Sequence, residues 1–437
     1  MAEGTPDKKR GYTDIEAMRN ACYDYLKLHE CIGEKWGKKY HFYFPASTKY
    51  GHHQWLWDSG FHMIAWSHKD VQNSIADLRT MLQFQRPDGF IPEIIFWGEE
   101  TSGAKRVLVK LFGSIFGYSR EEYTDITQMP MLPFALRAIW NATNDVALLK
   151  EFLPKLVAYF DWWENTRDPD GDGLVSIVHP WESGIDASPI YDPALKVKPA
   201  DQGKFWKMYP KFLLLQKDYR RKAKWDVQKI LAMEKFNVED VGVCSVYAAG
   251  WGILSELASE YDQYLSARCK DKQNFFEKAI IHKCWNPRMG RFVSYYHQGG
   301  EEHVSEAETA QSLFPVMFET IPQEMLDKVV ENLQDPGKFW LPYPVPSVSK
   351  SDPAFNPNRN RLLWRGTTWP ILTYFVMEGL LNNGKEEIAK ELLTRWIDLY
   401  LKHGIWEYYN PLTGEGLGEE GIGMSTVIID MIERLKK

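Results

Sequence analysis

Apolar residues recur at helical spacing along most of the chain, and this pattern restricts the possible folds more than any other feature of the sequence. In the stretch 145–166, one stripe carries Leu149, Phe152, Leu153, Leu156, Phe160 and Trp163, and Pro154 predicts a kink. A capping box, Thr13-Asp-Ile-Glu16, opens the first helix. Strand-like alternation is confined to places such as 291–296, which argues against βαβ and sandwich architectures.

Twelve helices are predicted in this way. Besides the first, they lie near 59–68, 70–85, 127–143, 145–166, 238–262, 267–283, 304–319, 322–333, 366–383, 385–403 and 422–435. Helix 385–403 is expected to end at Gly404, which suits a helix C-terminus. Twelve helices with little sheet favour six helical hairpins that close into a toroid, so the predicted fold is all-α, an (α/α)6 barrel.

The whole chain, 1–437, is expected to form one domain around a large core. Two segments lack regular helix pairing, about 97–126 and 185–237, and are rich in basic and aromatic residues. Loops on one face of a rigid scaffold are where binding sites are usually built. We therefore predict that these two insertions form a lid or side wall over the site.

Composition and charge exclude several classes of protein. Hydrophobic residues make up 44% and charged residues 25%, as in water-soluble globular proteins. The net charge is -7 and the basic clusters are short, as at 8–10 and 220–222, so no nucleic acid is expected as a partner. The first fourteen residues hold no apolar signal region and no long uncharged apolar run occurs, so we predict a cytoplasmic protein that contacts no membrane. Homo-oligomerisation stays open.

The five cysteines, Cys22, Cys31, Cys244, Cys269 and Cys284, are odd in number and widely spaced. The sequence contains no Cys-x-x-Cys pair, which would suggest a zinc site or a disulfide framework. Most of them are predicted to be buried, reduced thiols.

Three short clusters combine tryptophan with acids in loops bounded by glycine or proline. They are Tyr50-Gly-His-His-Gln-Trp-Leu-Trp-Asp-Ser-Gly60, Trp181-Glu-Ser-Gly-Ile-Asp-Ala-Ser-Pro189, and Trp406-Glu-Tyr-Tyr-Asn-Pro411 with the glycine-rich turn 413–418. Such clusters favour an aromatic-lined ligand pocket. Two plainer explanations stay open: Asp58 could be a helix N-cap, and turn chemistry alone could account for 181–189.

Paired carboxyls beside aromatic rings suit the hydrolysis of glycosidic bonds. That reaction needs one protonated carboxyl to donate to the leaving oxygen and one carboxylate that acts from the opposite face. Aromatic surroundings raise the pKa of a carboxyl by desolvation, which suits the acid. Spacing along the chain alone does not show that carboxyls from different clusters meet in one pocket.

Four strings resemble glycoside hydrolase family 63, in order and across nearly the whole chain. They are Gln54-Trp-Leu-Trp-Asp-Ser-Gly60, Trp181-Glu-Ser-Gly-Ile-Asp186, Trp364-Arg-Gly-Thr-Thr-Trp369 and Glu407-Tyr-Tyr-Asn-Pro411. The compact intracellular members that hydrolyse mannosylglycerate and glucosylglycerate are the most similar, because the chain shows no N-terminal β-sandwich like that of the oligosaccharide-processing glucosidases. The resemblance implies an inverting hydrolase of a small sugar substrate, without a cofactor.

Carried over residue by residue, the resemblance implies Asp186 as the general acid and Glu407 as the general base that holds the attacking water. The substrate-binding residues that it implies are Trp55, Trp57 and Asp58 for the sugar, Trp181, Trp364 and Trp369 for the pocket lining, and Tyr50 and Gln128 for the aglycone side. Arg365 is expected to contact the ligand or to orient a catalytic carboxylate. Whether Arg220 or Arg221 binds the glycerate carboxylate stays open, because the insertion 185–237 does not align.

Two further motifs suggest metal chemistry without supporting it. The run Asp168-Pro-Asp-Gly-Asp-Gly173 looks like the opening of a calcium loop, but its twelfth position is His179 where an EF-hand requires glutamate. We predict a tight turn there and no metal. The pair His52-His53 has no ligand partner at suitable spacing, so a polar pocket wall is predicted.

Two alternatives to the favoured function stay open. The first is a trehalase or α-glucosidase of the same barrel clan. The second is a sugar epimerase, or a sugar-binding toroid without catalysis. Epimerases of that shape use histidine as acid and base, whereas the aromatic loops here present carboxylates.

Overall fold

A computed structural model describes residues 11–46, 50–98, 121–198, 205–358 and 364–436. The α-helices in these ranges are α1 Ile15–Leu28, α2 Leu56–Trp66, α3 Val71–Leu82, α4 Leu132–Thr143, α5 Val146–Arg167, α6 Phe205–Asp218, α7 Val227–Ala232, α8 Val241–Ser259, α9 Gln263–Cys284, α10 Gln323–Gln334, α11 Pro370–Asn382, α12 Glu386–His403 and α13 Ile428–Arg434. The strands are β1 Glu30–Lys35, β2 Lys38–Tyr43, β3 Gln54–Trp55, β4 Ile94–Ile95, β5 Val238–Glu239, β6 Trp285–Asn286, β7 Arg291–Phe292, β8 Ser294–Gln298, β9 Glu301–Ser305, β10 Trp406–Tyr409 and β11 Gly416–Glu420. The chain is therefore mostly helical, as predicted.

Six segments pack against one another in cyclic order. They are α2, α4, α8, the 3₁₀ segment Ala310–Met317, α11 and the 3₁₀ segment Gly423–Val427, and the last of them packs back on α2. Each member has a partner on its other side, which is α3, α5, α9, α10, α12 and α1, respectively. The core is therefore built from six inner segments, each covered by one outer helix.

Inner and outer helices differ in how many of their residues are buried. Every residue of α2 is buried, whereas α10 buries a stripe that includes Leu326, Val329 and Leu333. A helix that is apolar on all sides belongs inside a core, and an amphipathic one belongs at its surface. Helix α8 is long and apolar enough to cross a membrane, but most of it is buried within the protein, which is typical of a core helix.

Most helix ends agree with the sequence prediction. The predicted cap of the first helix is wrong by one residue: the N-cap is Asp14 and not Thr13, and the Asp14 carboxylate accepts from the Ala17 N–H at 2.8 Å. Helix α12 ends at Gly404, as predicted. All five cysteines are free thiols, and four of them are buried, with Cys31 the partly exposed one.

The predicted helix 304–319 is wrong. Strand β9 continues to Ser305, and the helical part is the 3₁₀ segment Ala310–Met317. Pro315 lies inside this segment and has no N–H to continue an α-helical ladder. The preceding backbone instead pairs like a strand, with the Ala310 N–H donating to the Ser347 carbonyl at 3.1 Å.

The two predicted insertions fare differently. The stretch 185–237, in which the sequence predicts no regular helix pairing, contains the two helices α6 and α7. Most of 97–126 lies outside the described residues, so the structure gives no test of its role.

Short strand pairs connect two of the tryptophan-rich clusters to distant segments of the chain. Strand β3 pairs with β4, so that Trp55 is opposite Ile94. Strand β10 pairs with β11, and an isolated bridge joins Thr368 to Tyr409. Residues far apart in the chain therefore meet where the inner segments begin.

Candidate active site

A cavity of about 440 Å³ lies where α2, α11 and the 423–427 segment begin. It is lined by Tyr50, His53, Trp55, Trp57, Asp58, Glu93, Ile94, Phe96, Gln128, Trp181, Gly184, Asp186, Tyr209, Trp364, Trp369, Glu407 and Met424. This set contains both predicted catalytic carboxyls and every predicted substrate-binding residue except Arg365. The structure thus places these residues in one cavity, and their roles remain predictions.

The wall around Asp58 is fixed by backbone contacts. The Leu56 N–H donates to the Glu93 carbonyl at 2.8 Å, and the Trp57 N–H donates to the Gln128 side-chain oxygen at 3.1 Å. The N-cap position of α2 is Trp55, so the alternative that Asp58 caps this helix is wrong. Asp58 is buried in the first turn instead, where the helix dipole stabilises a negative charge.

Stacked aromatic rings form a second wall. The ring of Trp364 stacks on Trp369 with centroids 3.6 Å apart, and Trp369 stacks on Tyr408 at 4.5 Å. Gly184 lets the chain approach the ring of Trp57, because a Cβ at this positive φ would lie 2.8 Å from that ring. The cavity therefore offers flat apolar faces beside its carboxyls, a combination that suits a sugar ring.

Glu407 is held by donors on both of its oxygens. The Tyr50 hydroxyl donates to Oε1, and the Glu419 N–H donates to Oε2 at 3.1 Å. Burial, followed by the neighbouring negative charges, raises the pKa of Tyr50 well above its ordinary value, so this hydroxyl stays a donor. At Gly418 a Cβ would lie 2.4 Å from Oε2, so a side chain there would displace the carboxylate.

Asp186 lies in a loop that follows the 3₁₀ turn Pro180–Ser183. The Ser183 hydroxyl oxygen accepts from the Ile185 N–H at 2.9 Å, and the Ser188 N–H donates to the Ile185 carbonyl at 2.9 Å. Asp186 itself is half-buried at the cavity. The loop is thus ordered by its own hydrogen bonds, which holds the carboxyl in place.

Glu182, the other carboxyl of this cluster, has a different position. It is fully buried, accepts from an Arg167 guanidinium nitrogen at 2.5 Å and from the Val178 N–H at 2.8 Å, and does not line the cavity. Two carboxyls four residues apart therefore face different parts of the protein. Glu182 stabilises the loop from below, and Asp186 faces the cavity.

Arg365 does not line the cavity, although it was predicted to contact the ligand or a catalytic carboxylate. Its side chain is 1% exposed and donates to both oxygens of Asp192, at 2.6 and 2.8 Å. Asp192 follows Asp186 in the same loop, so the pair ties that loop to the segment that carries Trp364. Its place in the structure is that of a positioning residue.

The basic run 220–222 also lies away from the cavity lining. It forms part of a single π-helical turn, Tyr219–Ala223, in which Arg221 is exposed and Lys222 pairs with Asp218 at 2.9 Å. Among the described residues, four carboxyls and no lysine or arginine line the cavity.

The cavity lining includes one further predicted residue and some that the sequence did not predict. His53 lines the cavity as a polar wall, as expected, and burial lowers its pKa to about 4, so it is neutral near pH 7. Glu93 and Tyr209 were missed. Glu93 is a lone acid in the apolar run 89–97, and a charged residue within such a run is a signal that could have drawn attention to it.

The calcium-like run forms the predicted turn. Both oxygens of Asp168 accept backbone N–H groups, from Asp172 and Gly173, each at 3.1 Å. Lys283 pairs with Asp172. The carboxylates of Asp168, Asp170 and Asp172 are close enough together to hold an ion, but the contacts observed are those of a stabilised turn.

A helical scaffold whose cavity combines stacked tryptophans with four carboxyls has the features of a glycoside-processing enzyme. Comparison with known proteins agrees. Residues 51–425 match the family model described as the mannosylglycerate hydrolase MGH1-like glycoside hydrolase domain. The chain belongs to this family, and the resemblance to glycoside hydrolase family 63 is confirmed.

Individual relatives cover most of the chain. A mannosylglycerate hydrolase of Thermus thermophilus is 27% identical over 88% of this chain and 94% of its own length. A glucosylglycerate hydrolase of Mycolicibacterium hassiacum is 26% identical, over 84% and 88%. The crystal structure of a GH63 mannosylglycerate hydrolase from Thermus thermophilus in complex with Tris and D-glycerate superposes with a TM-score of 0.80, at 26% identity, and covers 95% of this chain and 100% of that one. The same enzyme has been solved in complex with glucose.

Proposed function

We propose that this chain is an inverting glycoside hydrolase that cleaves mannosylglycerate, glucosylglycerate or both to hexose and glycerate. The observation that carries the proposal is the presence of Asp186 and Glu407 in one tryptophan-lined cavity. The names of the relatives support the substrate class. The cyclic packing of six inner segments supports an (α/α)6 barrel as the scaffold.

In the proposed reaction, Asp186 donates a proton to the glycosidic oxygen while Glu407 removes a proton from the attacking water. The donors from Tyr50 and Glu419 complement the negative charge of Glu407 and fix its orientation, as a base requires. An inverting enzyme needs room for the water, so we expect the two carboxyl groups to lie about 6.5–9.5 Å apart.

The aglycone carries a carboxylate, and burying an anion requires a cation or several donors. Within the described part of the chain, Tyr209 and Gln128 offer neutral hydrogen-bonding groups at the cavity, whereas the Tyr50 hydroxyl already donates its proton to Glu407. Gln128 accepts from Trp57 with its amide oxygen, which leaves the amide nitrogen to donate to a ligand. Tyr209 belongs to α6 in the insertion 185–237, which supports a role of this insertion as a side wall.

The test is a substrate panel. Purified protein is incubated with mannosylglycerate, glucosylglycerate, trehalose and kojibiose, and the released hexose is followed. Hydrolysis of a glycosylglycerate alone supports the proposal. Preferred cleavage of trehalose or kojibiose would favour the trehalase or α-glucosidase alternative, and an epimerised product without hydrolysis would favour the epimerase.

Two further measurements address the mechanism. Proton NMR of the first-formed hexose should show the β-anomer from an α-glycoside, and retention would contradict inversion. Asp186→Asn and Glu407→Gln should each lower kcat by roughly 10²–10⁴-fold or more at an unchanged melting temperature. Either variant with a near-normal rate would remove that residue from the mechanism.

A neutral aglycone tests recognition of the acid. A charge-assisted hydrogen bond is worth about 1.5–3 kcal/mol, so glycosylglycerol should be hydrolysed with a kcat/KM roughly tenfold or more below that of glycosylglycerate. Equal rates on the two substrates would indicate a general α-glycosidase.

A further inference from the structure

Glu93 is a carboxyl of the cavity that the proposed mechanism does not use. Its side chain is 2% exposed, and its Oε2 atom has no hydrogen-bond partner among the described residues. It lines the cavity together with Asp58 and Asp186. Buried polar groups in native proteins almost always have a partner. The missing partner of Glu93 is therefore expected from whatever fills the cavity.

The position of Glu93 is fixed on both sides of its backbone. Its N–H donates to the Ile126 carbonyl at 2.9 Å, and its carbonyl accepts from the Leu56 N–H at 2.8 Å. The next residue, Ile94, is paired with Trp55. The carboxyl therefore belongs to the same rigid wall as Trp55 and Asp58.

We propose that Glu93 is a substrate-binding residue whose carboxyl forms hydrogen bonds with a hydroxyl of the sugar ring. This proposal rests on the proposed function and adds a residue that recognises the sugar ring. A sugar hydroxyl both donates and accepts, so it can satisfy a carboxyl that does the same.

The surroundings of Glu93 determine which form of the carboxyl meets the sugar. Burial, followed by the negative charges of Asp186, Glu182 and Asp58, raises the pKa of Glu93 well above its ordinary value. Glu182 is paired with Arg167, and the other two charges, those of Asp58 and Asp186, line the cavity together with Glu93. The raised pKa favours the protonated carboxyl, which donates through its O–H and accepts through its carbonyl oxygen.

Two substitutions of similar size separate hydrogen bonding by residue 93 from the space that its side chain fills. Glu93→Gln keeps one donor and one acceptor, so its kcat/KM on the preferred glycosylglycerate should stay within about threefold of the wild type. Glu93→Met fills the space without hydrogen bonds and should lower kcat/KM by about 10- to 100-fold, as expected when a polar contact to the substrate is lost. Equal kcat/KM for Glu93→Met and the wild type would overturn the proposal.

The pH profile distinguishes a neutral sugar contact from an ionised neighbour of the catalytic acid. A nearby negative charge raises the pKa of a carboxyl, so removing an ionised Glu93 would lower the pKa of the acid. The alkaline limb of kcat/KM should stay in place in Glu93→Gln. A shift of that limb by about one pH unit toward acid would show that Glu93 is ionised and would contradict a contact through the protonated carboxyl.

Binding of free hexose gives a readout that does not depend on turnover. Glucose and mannose are titrated calorimetrically into the wild type, Glu93→Gln and Glu93→Met, and the affinity should fall about tenfold or more in Glu93→Met only. Asp77→Asn is the matched control, because Asp77 is also buried with an unpartnered oxygen among the described residues but does not line the cavity. Its hexose affinity should equal that of the wild type.

This titration also separates the two proposals. If the wild type cleaves no glycosylglycerate but Glu93→Met weakens hexose binding, the proposed function fails and the role of Glu93 stands. If hexose affinity is the same in the wild type and in folded Glu93→Met, the role of Glu93 is refuted. Should Glu93→Met fail to fold, the same titration of Glu93→Ala decides, because that variant also lacks both hydrogen-bonding groups; an unchanged hexose affinity would then refute the role of Glu93.

Discussion

Breaking the ion pair between Arg365 and Asp192 is expected to destabilise the protein strongly, because both of its members are buried. Their side chains are 1% and 3% exposed, and two short hydrogen bonds join them. Asp192→Asn keeps the shape of the side chain but leaves the guanidinium charge uncompensated in the core. Removing one partner of a buried pair costs about 3–5 kcal/mol.

The structure provides a matched control at the surface. Arg79 and Glu151 form the same two-bond arrangement, both at 2.6 Å, with side chains 50% and 35% exposed. Exposed pairs of this kind contribute about 0–1 kcal/mol. Glu151→Gln should therefore be close to the wild type, although its geometry in the native protein resembles that of the buried pair.

The assay is unfolding by heat and by urea for the wild type and both variants. For 437 residues, an unfolding entropy of about 2.1 cal/mol/K per residue gives about 0.9 kcal/mol/K, so a loss of about 4 kcal/mol lowers Tm by about 4 °C. The double variant Arg365→Met/Asp192→Leu removes both charges and should regain most of this loss. A Tm for Asp192→Asn within about 1 °C of that for Glu151→Gln would refute the reasoning.

Three further predictions concern single side chains. Asp58→Ala should lower kcat/KM while Tm changes little, since Asp58 faces the cavity and does not cap α2; a fall in Tm without a kinetic defect would contradict this. Tyr50→Phe removes a donor to Glu407 and should lower kcat by about tenfold, and Tyr209→Phe serves as the comparison. An unchanged kcat in Tyr50→Phe would mean that the Glu419 N–H alone positions the base. Burial raises the pKa of Asp77 from 3.8 to about 8, so its contribution to stability is full below about pH 4 and is lost as the pH rises through 8. In urea unfolding, Asp77→Asn should therefore lose less stability between pH 5 and pH 8 than the wild type. Equal losses in the two proteins would contradict the raised pKa.

The helices could be predicted because burial determines their periodicity. In α10 the buried stripe repeats every three to four residues, and its apolar side chains are visible in the sequence. In α2 every position is buried, including Asp58, Ser59 and His62, which an apolar pattern alone does not show. The segment 310–317 could not be predicted in the same way. Its apolar residues satisfy a helical pattern, but Pro315 and the backbone contact to Ser347 select a 3₁₀ turn.

The chemistry of the cavity could be predicted only in part. Clusters of tryptophan and acid identified Trp57, Asp58 and Asp186, because such residue types suit a sugar. The partner of a charged side chain, however, depends on contacts between distant parts of the chain. Arg365 meets Asp192, 173 positions away, and no local pattern distinguishes this pairing from a contact with the ligand.

The surroundings of the two proposed catalytic carboxyls favour one assignment of their roles over the reverse. Glu407 receives the Tyr50 hydroxyl and the Glu419 N–H on its two oxygens, and such donors complement a carboxylate that must stay charged to activate water. Asp186 instead lies near other carboxyls: after burial, its negative charge and that of Asp58 are among the causes that raise the pKa of Glu93. A carboxyl that is protonated at Asp186 adds no second negative charge beside Asp58 until it donates its proton to the leaving oxygen. Pairs of carboxyls with contrasting environments are how one site supports both acid and base chemistry at one pH, and this contrast supports the proposal that Asp186 is the acid and Glu407 the base.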